Sequence, residues 1–168
     1  MGEGFKSEVF MNLFFLEYDF DLIAKSHCDR HVVKIILEAT QMLSTASHEC
    51  GCPQGYLPTH RNHPMTKWVG RSLSNWFWTY EYALSLCEEY KYRYGRTHKT
   101  YYTLMSLQIP KIDDIGLTSA PQCVPNFYKS DDLIKTYRNY YIGEKARFCT
   151  WKKRDIPEWF NYNGVLLR

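Results

Sequence analysis

An all-α fold in one domain is what this sequence predicts, and three observations carry the reading. Apolar residues recur at helical spacing through two long stretches, 30–46 and 65–94. Nothing alternates apolar with polar over a useful length, which leaves room for one short N-terminal strand and no sheet. The 168 residues are 45% hydrophobic, enough for a single core that buries about two thirds of the unfolded surface. The expected architecture is a compact single-domain helical bundle with long irregular loops.

Each element has its own signal. "MGEGFKSEVF" (1–10) reads as an N-terminal extension before a natural start at Met11, with the domain at 11–168. "MNLFFLEYDF" (11–20) is apolar and short, an extended segment or the lead-in to a helix. Residues 21–27 make a short helix, and 30–46 a long one with Asp29 as N-cap. Gly51, Pro53, Gly55, Pro58 and Pro64 mark a loop. Helix 65–94 is interrupted near Gly70–Ser72 and closed by Gly95. A short helix spans 98–107, residues 108–129 are irregular, and Ser130 caps a helix running to about Phe148. Val33, Ile36, Leu37, Leu84 and Leu86 are the expected core of the two long helices.

Composition narrows the function classes. No run of 18 apolar residues offers a membrane span, and no signal-peptide pattern opens the chain. Six scattered cysteines in a chain of this length read as reduced thiols of the cytoplasm or nucleus, not as a secreted disulfide frame. The net charge of +3 is unevenly spread: residues 1–59 hold 4 Lys/Arg against 8 Asp/Glu, and residues 60–168 hold 17 against 10. "KARFCTWKKR" (145–154) carries five basic residues and no acid. Such a surface suits a polyanion, as well as plain solvent.

Three constellations carry proton-handling or nucleic-acid chemistry. In "CDRHVVKIILEATQ" (28–41), Lys34 follows His31 by three and Glu38 follows Lys34 by four. At ~100° per residue the three share one stripe of an otherwise apolar helix, which would border a cleft. In "THRNHP" (59–64), His60 and His63 flank Arg61 in a Pro-bounded loop, where imidazoles shuttle protons or meet phosphates. In "YRNYYIGEKARF" (137–148), Tyr137, Tyr140 and Tyr141 interleave with Arg138, Lys145 and Arg147. Rings stack on bases while cations meet phosphates. Each has a plainer reading: a core histidine, an i,i+4 Glu–Lys pair, a tyrosine stripe that is simply core. Cys50, Cys52, His60 and His63 supply four nitrogen and sulfur donors, but Cys-x-Cys with His-x-x-His matches no zinc-finger spacing, and no metal is expected. The zinc-deaminase signature, Gly-rich phosphate loops and a nucleophile elbow are all missing from the sequence.

Taken in order, these motifs resemble the pyrimidine-dimer DNA glycosylases, the endonuclease V of T-even phages. That family is compact, all-helical and of similar size. It carries Asp-x-His early on a helix with a catalytic Glu seven residues after the His; Asp29, His31 and Glu38 have that spacing. Its Gly-His turn before a long aromatic helix is similar to Asn62-His63 before 65–94 with "CEEYKYRYG". Its closing Tyr-Lys-Tyr-Tyr-Gly patch resembles "YRNYYIG" (137–143). The likeness spans roughly residues 11–145 and extends to proteins of aquatic phages and large DNA viruses. The family's nucleophile is the α-amine of the residue after the initiator Met. Asn12 would supply it if Met11 came first, but here a peptide bond caps it. Leu37 and Gln41 stand where the family places arginines.

The resemblance implies an enzyme of double-stranded DNA, an N-glycosylase of damaged or modified pyrimidines, monomeric and cofactor-free, in an infected host cell. Glu38 would stabilise an oxocarbenium ion or activate water, with His31, Lys34 and His63 around it. Lys34 is the internal amine on the stripe, although Glu38 beside it favours the ammonium. Arg30, Arg61, Tyr137, Arg138, Tyr140, Tyr141, Lys145, Arg147, Lys152 and Lys153 would contact DNA. Two alternatives stay open: a nucleotide- or base-modifying enzyme of viral DNA metabolism, and a non-catalytic nucleic-acid-binding or viral structural protein.

Overall fold

A computed structural model describes residues 11–168; the expected extension at 1–10 lies outside the described residues. Six α-helices and no strand are found among the described residues: α1 (Phe20–Ser26), α2 (Asp29–Glu49), α3 (Pro64–Arg71), α4 (Leu73–Tyr94), α5 (Tyr101–Ser106) and α6 (Leu133–Tyr140). The all-α class is therefore correct. Residues 11–17 form no helix or strand and lead through a bend at 18–19 into α1, whose first turn is capped by the Asp19 carboxylate accepting from the amides of Asp21 and Leu22.

Helices α2 and α4 form the centre, with α3 packed across both. The α2 face that meets them is Val32, Ile35, Ile36, Ala39, Met42, Leu43 and Ala46, all buried. The Trp76 indole N–H donates to the Leu43 carbonyl at 3.2 Å, tying α4 to α2. Ile36 and Leu86 are core as expected, and Leu84 is half-buried. Val33 and Leu37 are not core: they are 41% and 38% exposed. Helix geometry explains the difference. At 100° per residue they sit roughly 120 and 160° from the centre of the buried face, whereas His31 and Glu38 lie only about 80–100° from it, on the opposite flank. That flank is covered by other elements.

Other boundaries moved for identifiable reasons. Ser72, extended at φ −148°, breaks the third stretch into α3 and α4. Gly95 closes α4 at φ 68°, in the left-handed region that favours glycine. Cys28, not Asp29, is the N-cap of α2. The Asp29 carboxylate is used elsewhere: it pairs with Arg93 at 3.0 Å and accepts from the Thr150 hydroxyl and the Lys152 amide. Arg93 is fully buried and also binds Glu89 and the Lys25 carbonyl, while Arg154 closes on Glu89 from the tail. Burial alone would raise the Glu89 carboxyl; the two guanidiniums outweigh it, and the group titrates below the usual range. This network fastens the C-terminal segment to α2 and α4.

The last expected helix is shorter than its apolar pattern implied. Asp132, not Ser130, caps α6, its carboxylate accepting from the Lys135 amide. At Tyr141 the ladder widens into a π-helical turn, Tyr141–Lys145, and then tightens into a 3-10 turn, Ala146–Phe148. Gly143 in that turn faces the Tyr128 ring so closely that an added Cβ would lie 2.6 Å from two ring carbons. Only glycine lets the turn approach the ring, and Tyr128 in turn donates to Glu144 at 2.9 Å.

Candidate active site

The covered flank of α2 opens into a small cleft of about 70 Å³, lined by Asn12, Phe14, His31, Lys34, Ile35, Glu38, Tyr140 and Lys145. Three distant parts of the chain meet there: the extended lead-in, the polar stripe of α2, and the end of α6 with its π turn.

Glu38 is the floor. The residue is 5% exposed. One oxygen accepts the Asn12 backbone N–H at 3.3 Å, and the other pairs with Lys34 at 3.5 Å. Burial raises its carboxyl above the ordinary value, against the pull of Lys34, the Asn12 amide and His60. Asn12 is itself clamped. Its side-chain amide donates to the Cys123 carbonyl, and its oxygen accepts from the Leu13 amide and the Tyr137 hydroxyl.

His31 is buried and stacked on Phe14, with ring centroids 4.4 Å apart. Its Nδ1 meets the Tyr141 hydroxyl at 2.6 Å. Burial, with the charges of His27, Lys145, Lys34 and Arg30, drives its pKa well below the usual value, so the ring is neutral near pH 7. A second histidine supports the lead-in from behind. His27 Nδ1–H donates to the Ile23 carbonyl, Nε2 accepts from the Tyr82 hydroxyl at 2.7 Å, and that hydroxyl accepts the Phe14 N–H at 3.1 Å.

The π turn delivers Lys145, half-buried, with its ammonium 4.8 Å from the Tyr140 ring centroid. Burial and the like charges of Lys34 and Arg147 lower its pKa, against Glu144 and Cys28. Around the mouth stand Arg30 and Arg147, both exposed and both over the Phe148 ring, at 4.3 and 5.8 Å. The buried carboxylate thus shares its cleft with two lysines, Lys34 and Lys145.

The expected site residues divide accordingly. His31, Lys34, Glu38, Tyr140 and Lys145 come together, with Arg30 and Arg147 at the rim. His63 does not join them. It caps α3 through Nδ1, which accepts from the Met65 amide, and it lines a separate cavity of about 680 Å³ with Cys123, Val124, Lys129 and Tyr140. Tyr140 is the wall between the two spaces. Arg61 is exposed on the loop after α2, paired with Glu49 at 3.0 Å. Lys152 and Lys153 are exposed on the tail, their ammonium groups over the Tyr94 ring and against the Tyr92 carbonyl.

Three expected DNA contacts need correction. Tyr137 and Tyr141 are fully buried, so their rings cannot stack on a base; their hydroxyls hold Asn12 and His31 instead. Arg138 is paired with Glu17 at 2.7 Å and donates to the Leu16 carbonyl, so its charge anchors the lead-in. In each case a tyrosine–cation run at helical spacing turned its inner face to the core. Asn12 as a clamp, Phe14 as the stacking partner of His31 and Lys145 as a cleft group were beyond the sequence reading, because they depend on tertiary contacts, those of Asn12 more than a hundred residues apart, or on the π turn. Among the described residues no three His, Cys, Asp or Glu groups converge as a metal ion would require, and no helix is long and apolar enough to cross a membrane. No protein-family model, curated protein or solved structure matches the chain.

Proposed function

We propose that this protein is a base-excision enzyme of double-stranded DNA, an N-glycosylase acting on damaged or modified pyrimidines. The observation that carries the reading is the pairing of Glu38 with the Asn12 backbone nitrogen at the floor of a cation-rimmed cleft. Cleaving a glycosidic bond builds positive charge on the sugar, and a buried carboxylate stabilises it or activates the attacking water. The cations Arg30, Lys34, Lys145 and Arg147 suit the phosphates on either side of such a sugar. The cleft is too small for a whole nucleotide, which favours a substrate whose bulk stays outside.

The resemblance to the pyrimidine-dimer glycosylases supports the same reading. It places the family's nucleophilic nitrogen at Asn12, the nitrogen found against Glu38. In this chain that nitrogen is an amide, so water is the simpler nucleophile for base release. A nucleotide- or base-modifying enzyme is the second reading, and the larger cavity beyond Tyr140 favours it by its size. The deciding experiment incubates the protein with duplexes carrying a panel of damaged and modified pyrimidines, and scores base release and strand cleavage separately. Base release from at least one duplex is expected. Turnover of free nucleotides with no base release would favour the second reading.

A further inference from the structure

We propose that Cys50 and Cys52 form a reversible thiol–disulfide site, which closes into an intramolecular disulfide by exchange with a small external disulfide.

The tripeptide Cys50-Gly51-Cys52 ends α2, and the helix cap fixes its backbone. Cys50 is the C-cap and Gly51 turns left-handed at φ 81°. The amides of Gly51 and Cys52 donate back to the His48 and Ser47 carbonyls at 3.1 and 2.9 Å. Glycine suits that φ, so the two cysteines are held on either side of one tight turn. Their sulfurs converge on a single N–H. The Lys111 amide donates to the Cys52 Sγ at 3.4 Å and also acts on the Cys50 thiol, as the Cys52 thiol does. Cys50 Sγ in turn donates to the Ser47 carbonyl at 3.2 Å.

The other four cysteines are placed differently. Cys28, Cys87 and Cys149 are buried, and Cys123 lines the cavity beside His63. Cys50 and Cys52 are both half-buried. Cys50 also lines a surface pocket of about 420 Å³ with Arg61, Asn62 and Lys67, which leaves room for a small disulfide beside the pair. Access and a neighbouring resolving thiol are what reversible thiol oxidation needs.

The exchange balances with the external disulfide as the oxidant. Burial and then the Cys52 thiol raise the Cys50 pKa, against the Cys52 and Lys111 amides, so Cys52 is the attacking sulfur. Its thiolate, the proton released to solvent, attacks the external S–S bond. One half leaves as a thiolate and the other stays on Cys52 as a mixed disulfide. The departed thiolate takes the Cys50 proton, Cys50 Sγ attacks Cys52 Sγ, and the second half leaves and takes a proton from solvent. Two cysteine thiols are oxidised and one disulfide is reduced to two thiols.

The test equilibrates the full chain with reduced and oxidised glutathione, alkylates it with N-ethylmaleimide in denaturant and maps it by peptide mass spectrometry. A bridge between Cys50 and Cys52 is expected, with Cys28, Cys87 and Cys149 alkylated. Two glutathiones are released per bridge. A tenfold rise in reduced glutathione at fixed oxidised glutathione should therefore lower the ratio of bridged to dithiol protein about a hundredfold, where a mixed disulfide would fall only about tenfold. Cys50→Ser should retain one glutathione on Cys52, the trapped intermediate. Full alkylation of both cysteines, glutathione as the main product on either, a bridge to another cysteine or the tenfold response overturns the proposal. The wild-type map decides this whether or not the variant folds.

Discussion

Mild acid should loosen the cleft through His27, a residue outside it. The ring is fully buried, and burial lowers its pKa from 6.5 to about 4, against the Ile23 carbonyl that would raise it. Above pH 6.5 the imidazole is neutral in both folded and unfolded chains. Below that value the unfolded chain takes up a proton that the folded chain refuses, so stability falls as the pH drops and levels off near pH 4. The full drop from 6.5 to about 4 corresponds to about 3.4 kcal/mol, of which about 2 kcal/mol is lost by pH 5, before most carboxylates titrate. A loss of that size is a large fraction of a typical stability of ~5–15 kcal/mol. His31, lowered for the same reason, adds in the same direction. Urea unfolding followed by tryptophan fluorescence at pH 7, 6 and 5 measures the effect. The wild type should lose roughly 2 kcal/mol more than His27→Gln across that range, because the variant has no proton to take up at this position. Equal losses in the two proteins would refute the reasoning. The consequence reaches the site because Tyr82, the partner of His27, also holds the Phe14 amide beside the cleft.

Four further outcomes are expected. Glu38→Gln should leave folding and DNA affinity nearly intact and lower base release at least ~100-fold, the scale of one positioned acid–base group; unchanged release in a turnover assay would make Glu38 structural. Arg93→Ala should cost about 3–5 kcal/mol in denaturant unfolding, since it strips Glu89 and Asp29 of a fully buried partner; a loss under about 1 kcal/mol would mean that the network is slack. Replacing Arg30, Arg147, Lys152 and Lys153 with Ala should flatten the salt dependence of duplex binding by roughly one unit per lost phosphate contact, and no DNA binding at low salt in the wild type would reject the DNA reading. Arg138→Ala should instead lower stability by about 1–3 kcal/mol through lost charge-assisted bonds to Glu17 and Leu16, with little change in that salt slope.

The stripe His31–Lys34–Glu38 was legible because three- and four-residue spacings on one helix are fixed by helix geometry alone. So were the break before α4 and the glycine that ends it. Tyr137 and Tyr141 were misplaced because a tyrosine at helical spacing reads equally well as a stacking platform or as core; only the hydroxyl partners, Asn12 and His31, decide, and both lie more than a hundred residues away. The π turn was invisible for a different reason: nothing in "YIGEK" announces a widened ladder, and the clue at Gly143 has meaning only once Tyr128 is known to face it.

Why a carboxylate sits buried beside the core follows from the lead-in that covers it. An extended segment laid on helices has no neighbouring strand to take its amide hydrogens, yet buried N–H groups must find acceptors. Here side chains supply them in succession: Glu38 for Asn12, the Asn12 side chain for Leu13 and the Tyr82 hydroxyl for Phe14. Glu38 therefore has a structural partner, and a charge is more than that structural task needs. A neutral amide oxygen at residue 38 would accept the Asn12 N–H equally well and would avoid the desolvation that raises the Glu38 pKa. A buried carboxylate where an amide would suffice is what a charge-dependent function would retain.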